Sequence, residues 1–178
     1  MENTALTMDN LILDSLNVLK EGNNIQYIYS WMDIGDLLCQ KQRLNEPLKE
    51  HEFNVINNLT IMLKRVIIQE NIVLYRGLTK EFDPSTAEKQ FNALSPNLDT
   101  AETYGEYLIK VFVPKGSNAF YVSAWELINT NIEEQEEKEV LLFPGKFTLH
   151  EIDVIVIHTY ITNFKKLIIY CIGVPILI

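Results

Sequence analysis

Positive charge is scarce in this sequence. Three arginines, at positions 43, 65 and 76, and twelve lysines face 24 acidic residues, for a formal net charge of −9. Binding along a nucleic-acid backbone relies on clustered Lys and Arg, so this balance speaks against DNA or RNA as a partner. It also speaks against attraction to an anionic membrane surface. Cysteine is equally sparse. Cys39 and Cys171 are the only two, with no C-x-x-C. A disulfide framework and a zinc site lose their main support, and both residues read as small buried hydrophobes. The three histidines, His51, His150 and His158, show no H-x-x-x-H or H-E-x-x-H spacing, so no metal is expected. There is no G-x-S-x-G elbow and no P-loop, which leaves hydrolase and kinase readings unsupported. No apolar run reaches the roughly 18 residues of a membrane span. The opening Met1-Glu2-Asn3-Thr4 lacks the basic and apolar regions of a secretory signal. The expected location is therefore the cytoplasm, of the producing cell or of a host. Residues 167–178 are apolar but short and interrupted by Pro175, and read as a buried strand.

What is present is a globular mix: 178 residues, 47% hydrophobic and 22% charged, enough for one domain or two small lobes. The chain changes character near residue 70. Before it, apolar residues recur at helical spacing. Ile12, Leu16 and Leu19 form one stripe, closed by Gly22. Ile28, Trp31 and Met32 open a second, running toward Leu38. Phe53, Ile56, Thr60, Leu63 and Val66/Ile67 form a third, with Asn45-Glu46-Pro47 as its start signal. After residue 70 the pattern turns to short β-rich runs, at 72–76, 107–113, 119–122, 139–143, 146–152, 154–160 and 166–172. Turn signals at Pro114-Lys115-Gly116-Ser117, Pro144-Gly145 and Thr162-Asn163 separate several of them. Residues 100–104 and 123–128 read as short helices. The expected fold is α+β, with a helical N-terminal lobe over 1–70 packed on a mainly antiparallel sheet core over 71–178, in one compact unit.

Three places carry chemistry. Arg76 ends an apolar run and precedes Gly77, a pairing suited to a bidentate grip on phosphate with close approach of the ligand to the backbone. Glu137 and Glu139 stand two apart at the start of a strand, so both carboxylates share a face, roughly 6–7 Å apart at the backbone. Paired carboxylates suit chemistry on a sugar, one steadying an oxocarbenium-like centre and one handling a proton. Phe91-Asn92-Ala93-Leu94-Ser95-Pro96 is a strand ending in a small hydroxyl residue, followed by a short helix reaching Ala101-Glu102-Thr103-Tyr104-Gly105. Taken alone, each has an ordinary reading: a surface ion pair, a solvated acidic loop extended by Glu133, Glu134 and Glu136, and a Ser in a β-turn.

Their order is more telling. Strand-Arg-Gly, then strand-Ser-turn-helix, then Glu-x-Glu resembles the Arg–Ser–Glu class of mono-ADP-ribosyltransferases, known from bacterial toxins and phage enzymes. The stretch from Tyr107 to Ser123 is similar to the family's strand, Pro-x-Gly turn and second strand. Glu137-Lys138-Glu139-Val140-Leu141-Leu142-Phe143-Pro144-Gly145-Lys146-Phe147 is similar to its closing signature, E-x-E-V-L-L followed by a Pro/Gly turn and a strand. The match spans residues 72–172; the N-terminal lobe resembles the family only in being helical. One departure stands out. The family pattern is Ser-x-Ser, and here the aligned triplet is Ala93-Leu94-Ser95, so the first Ser is missing.

The resemblance implies a two-sheet core with NAD+ as substrate in the cleft between the halves, and no metal. Arg76 would pair with the pyrophosphate, and the Gly77 backbone would bind the nicotinamide amide. Ser95 would belong to the same cofactor-binding set, and Tyr104 would stack on nicotinamide, its ordinary alternative being a core aromatic. Glu139 would hold the nicotinamide ribose 2′-OH and stabilise charge developing at C1′. Glu137 would hold or deprotonate the acceptor. A Glu at that position goes, in the family, with transfer to arginine, so the implied partner is a protein with an arginine acceptor. Two rivals share the fold: an NAD+ glycohydrolase that uses water, and a catalytically dead binding module, for which Ala93 is the best support.

Overall fold

A computed structural model describes residues 3–81, 83–129, 138–145, 148–158 and 164–173 of the chain. The architecture is α+β. Among the described residues three helices, α1 (Asn3–Leu19), α2 (Asn24–Leu44) and α3 (Glu50–Lys64), precede seven strands interrupted by short helices. The strands are β1 (Ile72–Leu78), β2 (Asn92–Leu94), β3 (Tyr107–Val113), β4 (Ala119–Tyr121), β5 (Val140–Leu142), β6 (Thr148–His158) and β7 (Phe164–Gly173). Between them lie α4 (Pro84–Ala87), α5 (Leu98–Glu102), a 3₁₀ turn (Val122–Trp125) and α6 (Glu126–Asn129).

The strands form two sheets, of order β1-β3-β7-β6 and β2-β5-β4. All pairings are antiparallel except β3 with β7. The described parts of runs 146–152 and 154–160 form one strand, β6, which passes through Asp153 without a break. Its one irregularity falls between Leu149 and Glu151. The apolar tail begins in β7, and residues 174–178 lie outside the described set.

Helices α1 and α3 use faces displaced from those the apolar pattern marks, and for a common reason. The buried positions of α1 include Leu11, Ser15, Val18 and Leu19, so the inward stripe passes through a serine. Ser15 Oγ accepts the Tyr121 backbone N–H at 2.9 Å, which ties α1 to β4. In α3 the inward stripe is Glu52, Val55, Leu59, Met62 and Leu63, leaving Phe53 exposed. Glu52 is buried because Lys41 of α2 donates to both its oxygens, at 2.8 and 2.7 Å, and the Lys49 backbone N–H donates at 2.7 Å. Asn45 stops α2 instead of starting α3: it takes the left-handed conformation, φ 53°, and its N–H returns to the helix carbonyls. In α2 the buried face is Ile28, Trp31, Gly35, Leu38 and Cys39, while Met32 points outward. Helix α5 starts at Leu98, two residues before the sequence reading places it, because the Asn97 side chain caps it by accepting the Asp99 N–H at 2.9 Å.

The core is continuous through both halves. Leu59, Met62 and Leu63 from the helices join Leu74, Val111, Phe120, Val140 and Leu141 from the strands in one buried cluster. Helices α1 and α3 pack on β4, and α2 reaches the 3₁₀ turn.

Candidate active site

The two sheets meet at one bridge among the described residues. Tyr75 of β1 and Ser95, just after β2, exchange two backbone hydrogen bonds, each 2.7 Å. Everything the sequence marked for chemistry and that lies within the described residues gathers around this joint. A cleft of about 660 Å³ opens there, lined by Arg76, Gly77, Ser95, Tyr104 and Glu139, with Trp31, Asp36 and Cys39 contributed by α2.

Arg76 follows Tyr75 on β1, two residues before the strand ends. Among the described residues no carboxylate lies within ion-pair distance of it. Burial is the main influence on its guanidinium, holding its pKa below the ordinary value, and the charges of Glu139 and Asp36 offset part of that effect. The surface ion pair that would be its ordinary explanation is not what holds it.

Gly77 has two distinct properties. A Cβ there would collide with the Ala101 carbonyl of α5, so the strand and the short helix approach too closely for any side chain. The close approach is thus to the protein's own backbone. Along an antiparallel strand, alternate residues direct N–H and C=O to the same edge. Tyr75 directs both toward Ser95, so Gly77 directs its own to that edge, at the cleft. Gly105 is constrained like Gly77, since a Cβ there would meet the Leu78 carbonyl. Between them they seat α5, and Tyr104 stands at its end, 53% exposed over the cleft. Ser95 is buried, and its hydroxyl accepts the Asn97 N–H at 3.1 Å, shaping the turn into α5.

Glu139 stands immediately before β5. Its N–H donates to Ser123 Oγ at 3.0 Å, and its carbonyl accepts the Val122 N–H at 2.9 Å, which anchors the backbone to the 3₁₀ turn. Its carboxylate Oε1 accepts the indole N–H of Trp31 at 2.8 Å. Glu137, the first residue of the pair, lies outside the described residues. Trp31 is a neighbour of Glu139 that no sequence motif marks. It was read as one member of a helical apolar stripe, and an aromatic in such a stripe carries no signal that its N–H will meet a carboxylate 108 residues away. Cys39 also lines the cleft, and burial pushes its thiol up to about 11, so it stays protonated at neutral pH.

Among the described residues there is no group of three His, Cys, Asp or Glu side chains placed to hold a metal ion. Nor is any helix among them long and apolar enough to cross a membrane.

With two sheets joined, among the described residues, at a single bridge, a helical layer on one side and an Arg, a Ser and a Glu around the joint, the fold is that of the ADP-ribosyltransferase toxins. The chain superposes on Plx2a, an ADP-ribosyltransferase toxin from Paenibacillus larvae, with a TM-score of 0.72 and 15% identity, covering 96% of this chain and 94% of that one. C3stau2 from S. aureus, solved with NAD, gives 0.68 at 16% identity, covering 97% and 94%. BECa, the ADP-ribosylating component of a binary enterotoxin of C. perfringens, solved with NADH, gives 0.68 at 18% identity. There the match covers 96% of this chain but 48% of the toxin component. No protein-family model and no curated protein matches the sequence.

Proposed function

We propose that the chain is an NAD+-dependent mono-ADP-ribosyltransferase that releases nicotinamide and modifies arginine on a protein. The observation that carries the reading is the convergence of Arg76, from the four-stranded sheet, and Glu139, from the start of the central strand of the three-stranded sheet, on one cleft. A cation without a carboxylate partner beside a carboxylate suits a dinucleotide better than it suits the protein alone. Arg76 pairs bidentately with the pyrophosphate. The Gly77 backbone, directed at the cleft edge, binds the nicotinamide amide, and Tyr104 stacks on the ring. Ser95 holds the turn that places both.

Chemistry follows from Glu139. Its carboxylate takes the 2′-OH of the nicotinamide ribose and stabilises the positive charge that grows at C1′ as the bond to nicotinamide breaks. One preorganised polar group of this kind supplies about 3–4 kcal/mol of transition-state stabilisation. The acceptor is assigned through Glu137. A guanidinium is cationic and fork-shaped, so a carboxylate binds two of its N–H groups. It must also lose a proton as the new C–N bond forms, and its ordinary pKa is above about 12. A carboxylate can receive that proton; a neutral amide cannot. The excess of acid over base in the chain draws a basic target toward the cleft.

Mass spectrometry of proteins modified when the purified chain meets NAD+ and a cell lysate tests this. The expected product is ADP-ribosyl-arginine, cleaved by neutral hydroxylamine. Label recovered only as free ADP-ribose would make the chain a glycohydrolase, and modified peptides mapping to Asn, Cys or Glu would overturn the acceptor.

A further inference from the structure

The carboxylate proposed to do the chemistry is held from the helical side of the cleft by a residue that no part of the strand motifs contains. We propose that Trp31 is a positioning residue for Glu139, supplying through its indole N–H a hydrogen bond that Ala93, on the strand beside it, cannot supply. The inference rests on the function proposed above.

Four observations carry it. The indole N–H donates to Glu139 Oε1 at 2.8 Å. Indole is a donor only, so this contact favours the ionised carboxylate. The ring is buried, 5% exposed, and a buried indole N–H requires an acceptor, so the contact stabilises both partners. The ring is also fixed in direction. Gly35 lies one turn on in α2, and a Cβ there would stand 3.1 Å from two atoms of the Trp31 ring. Glycine inside a helix costs about 1 kcal/mol relative to alanine. Its presence here is explained by the flat seat it gives the indole. On the other side, Phe91 meets the ring edge-on, with centroids 5.8 Å apart at 87°. The fourth observation is the vacancy in the motif. In the β2–β5 register Ala93 pairs with Leu141, so 93, 141 and, two residues back, 139 share a face. Ala93 lines the same cleft and its methyl cannot donate. Trp31 reaches the carboxylate from α2 instead.

The test has two arms. In ¹⁵N-labelled protein the indole N–H signals belong to Trp31 and Trp125, the two tryptophans of the chain. The Trp31 signal should move with the titration of Glu139 and shift in Glu139→Gln, while the Trp125 signal stays. In the second arm, Trp31→Phe keeps an aromatic ring against Gly35 and Phe91 and removes the donor. Its kcat should fall about tenfold or more while the NAD+ KM changes less than about twofold. The acid limb of its rate–pH profile should move to higher pH, because a carboxylate that loses a donor is harder to keep ionised. A Trp31 signal indifferent to Glu139 overturns the contact. A Trp31→Phe enzyme with wild-type kcat and pH profile overturns the role. Wild-type protein that neither transfers nor hydrolyses NAD+ defeats the proposed function, and the positioning role with it, and is told apart because the indole signal still reports the contact.

Discussion

Arg76 has protein around much of its guanidinium and no carboxylate within ion-pair distance among the described residues. Such a charge is a liability in the free protein and an asset once an anion arrives. Arg76→Met should therefore raise the melting temperature of the ligand-free protein while weakening NAD+ binding at least tenfold, measured by thermal melt and calorimetry. Arg76→Lys keeps the charge and loses the fork, so binding should weaken there too. Unchanged affinity in both variants would remove Arg76 from the site. Glu139→Gln should abolish turnover with NAD+ affinity nearly intact, since the substitution keeps shape and removes charge; wild-type turnover in that variant would sink the mechanism. At this scale the strand motifs were open to reading because each joins a residue type to a backbone position: Arg beside Gly, Glu before an apolar strand. Trp31 was not, because its role comes from α2 crossing the end of β5, a tertiary fact that spacing along the chain does not encode.

At the scale of elements, the three long helices were legible as helices; α2 buries most of the face the pattern marks, while α1 and α3 are rotated from theirs. Apolar periodicity places a stripe by its hydrophobic members. In α1 and α3 the inward stripe contains a polar residue with a dedicated partner, Ser15 with the Tyr121 N–H and Glu52 with Lys41, and the pattern slides to a neighbouring face that looks cleaner. The Lys41 hydrogen bonds hold the Glu52 carboxyl below its ordinary value, followed in effect by the Lys49 N–H. Stability from this group is present above its unfolded-state value and drains away as pH falls through the folded one. Glu52→Gln should accordingly flatten the acid side of the stability–pH curve, read from urea midpoints. The alkaline side has the opposite sign. Burial pushes Cys39 up to about 11 and, with a smaller push from Glu126, Tyr121 up to about 12. Unfolding lets both ionise earlier, so the unfolded state binds fewer protons there and stability falls as pH rises from about 9 through these values. Cys39→Ala should remove the lower part of that decline. If the midpoint stays constant from pH 8 to 11, neither group is coupled to folding.

Over the whole molecule, three bodies converge on one cleft: the four-stranded sheet through Arg76, the start of the three-stranded sheet's central strand through Glu139, and α2 through Trp31. A ligand that touches all three should hold them as one. At NAD+ concentrations about a hundredfold above Kd the expected stabilisation is about 2.7 kcal/mol, visible as a single shifted melting transition. Two separate transitions would mean that the helical and strand halves melt independently. The sequence division near residue 70 marks where helices give way to strands, yet the buried cluster runs from Leu59 and Met62 to Val140 and Leu141 without interruption.

The Tyr75–Ser95 bridge has a further consequence. Each of these residues both gives and receives a backbone hydrogen bond across the joint, and no other bridge among the described residues links the two sheets. Parting of the seam releases both amides together. In deuterium oxide the two protons should therefore show matched protection, once each rate is divided by that residue's intrinsic exchange rate, and the shared protection measures the free energy of parting the seam. NAD+ lying across the seam should slow both equally, a paired clock that reports occupancy of the cleft without any chemistry taking place.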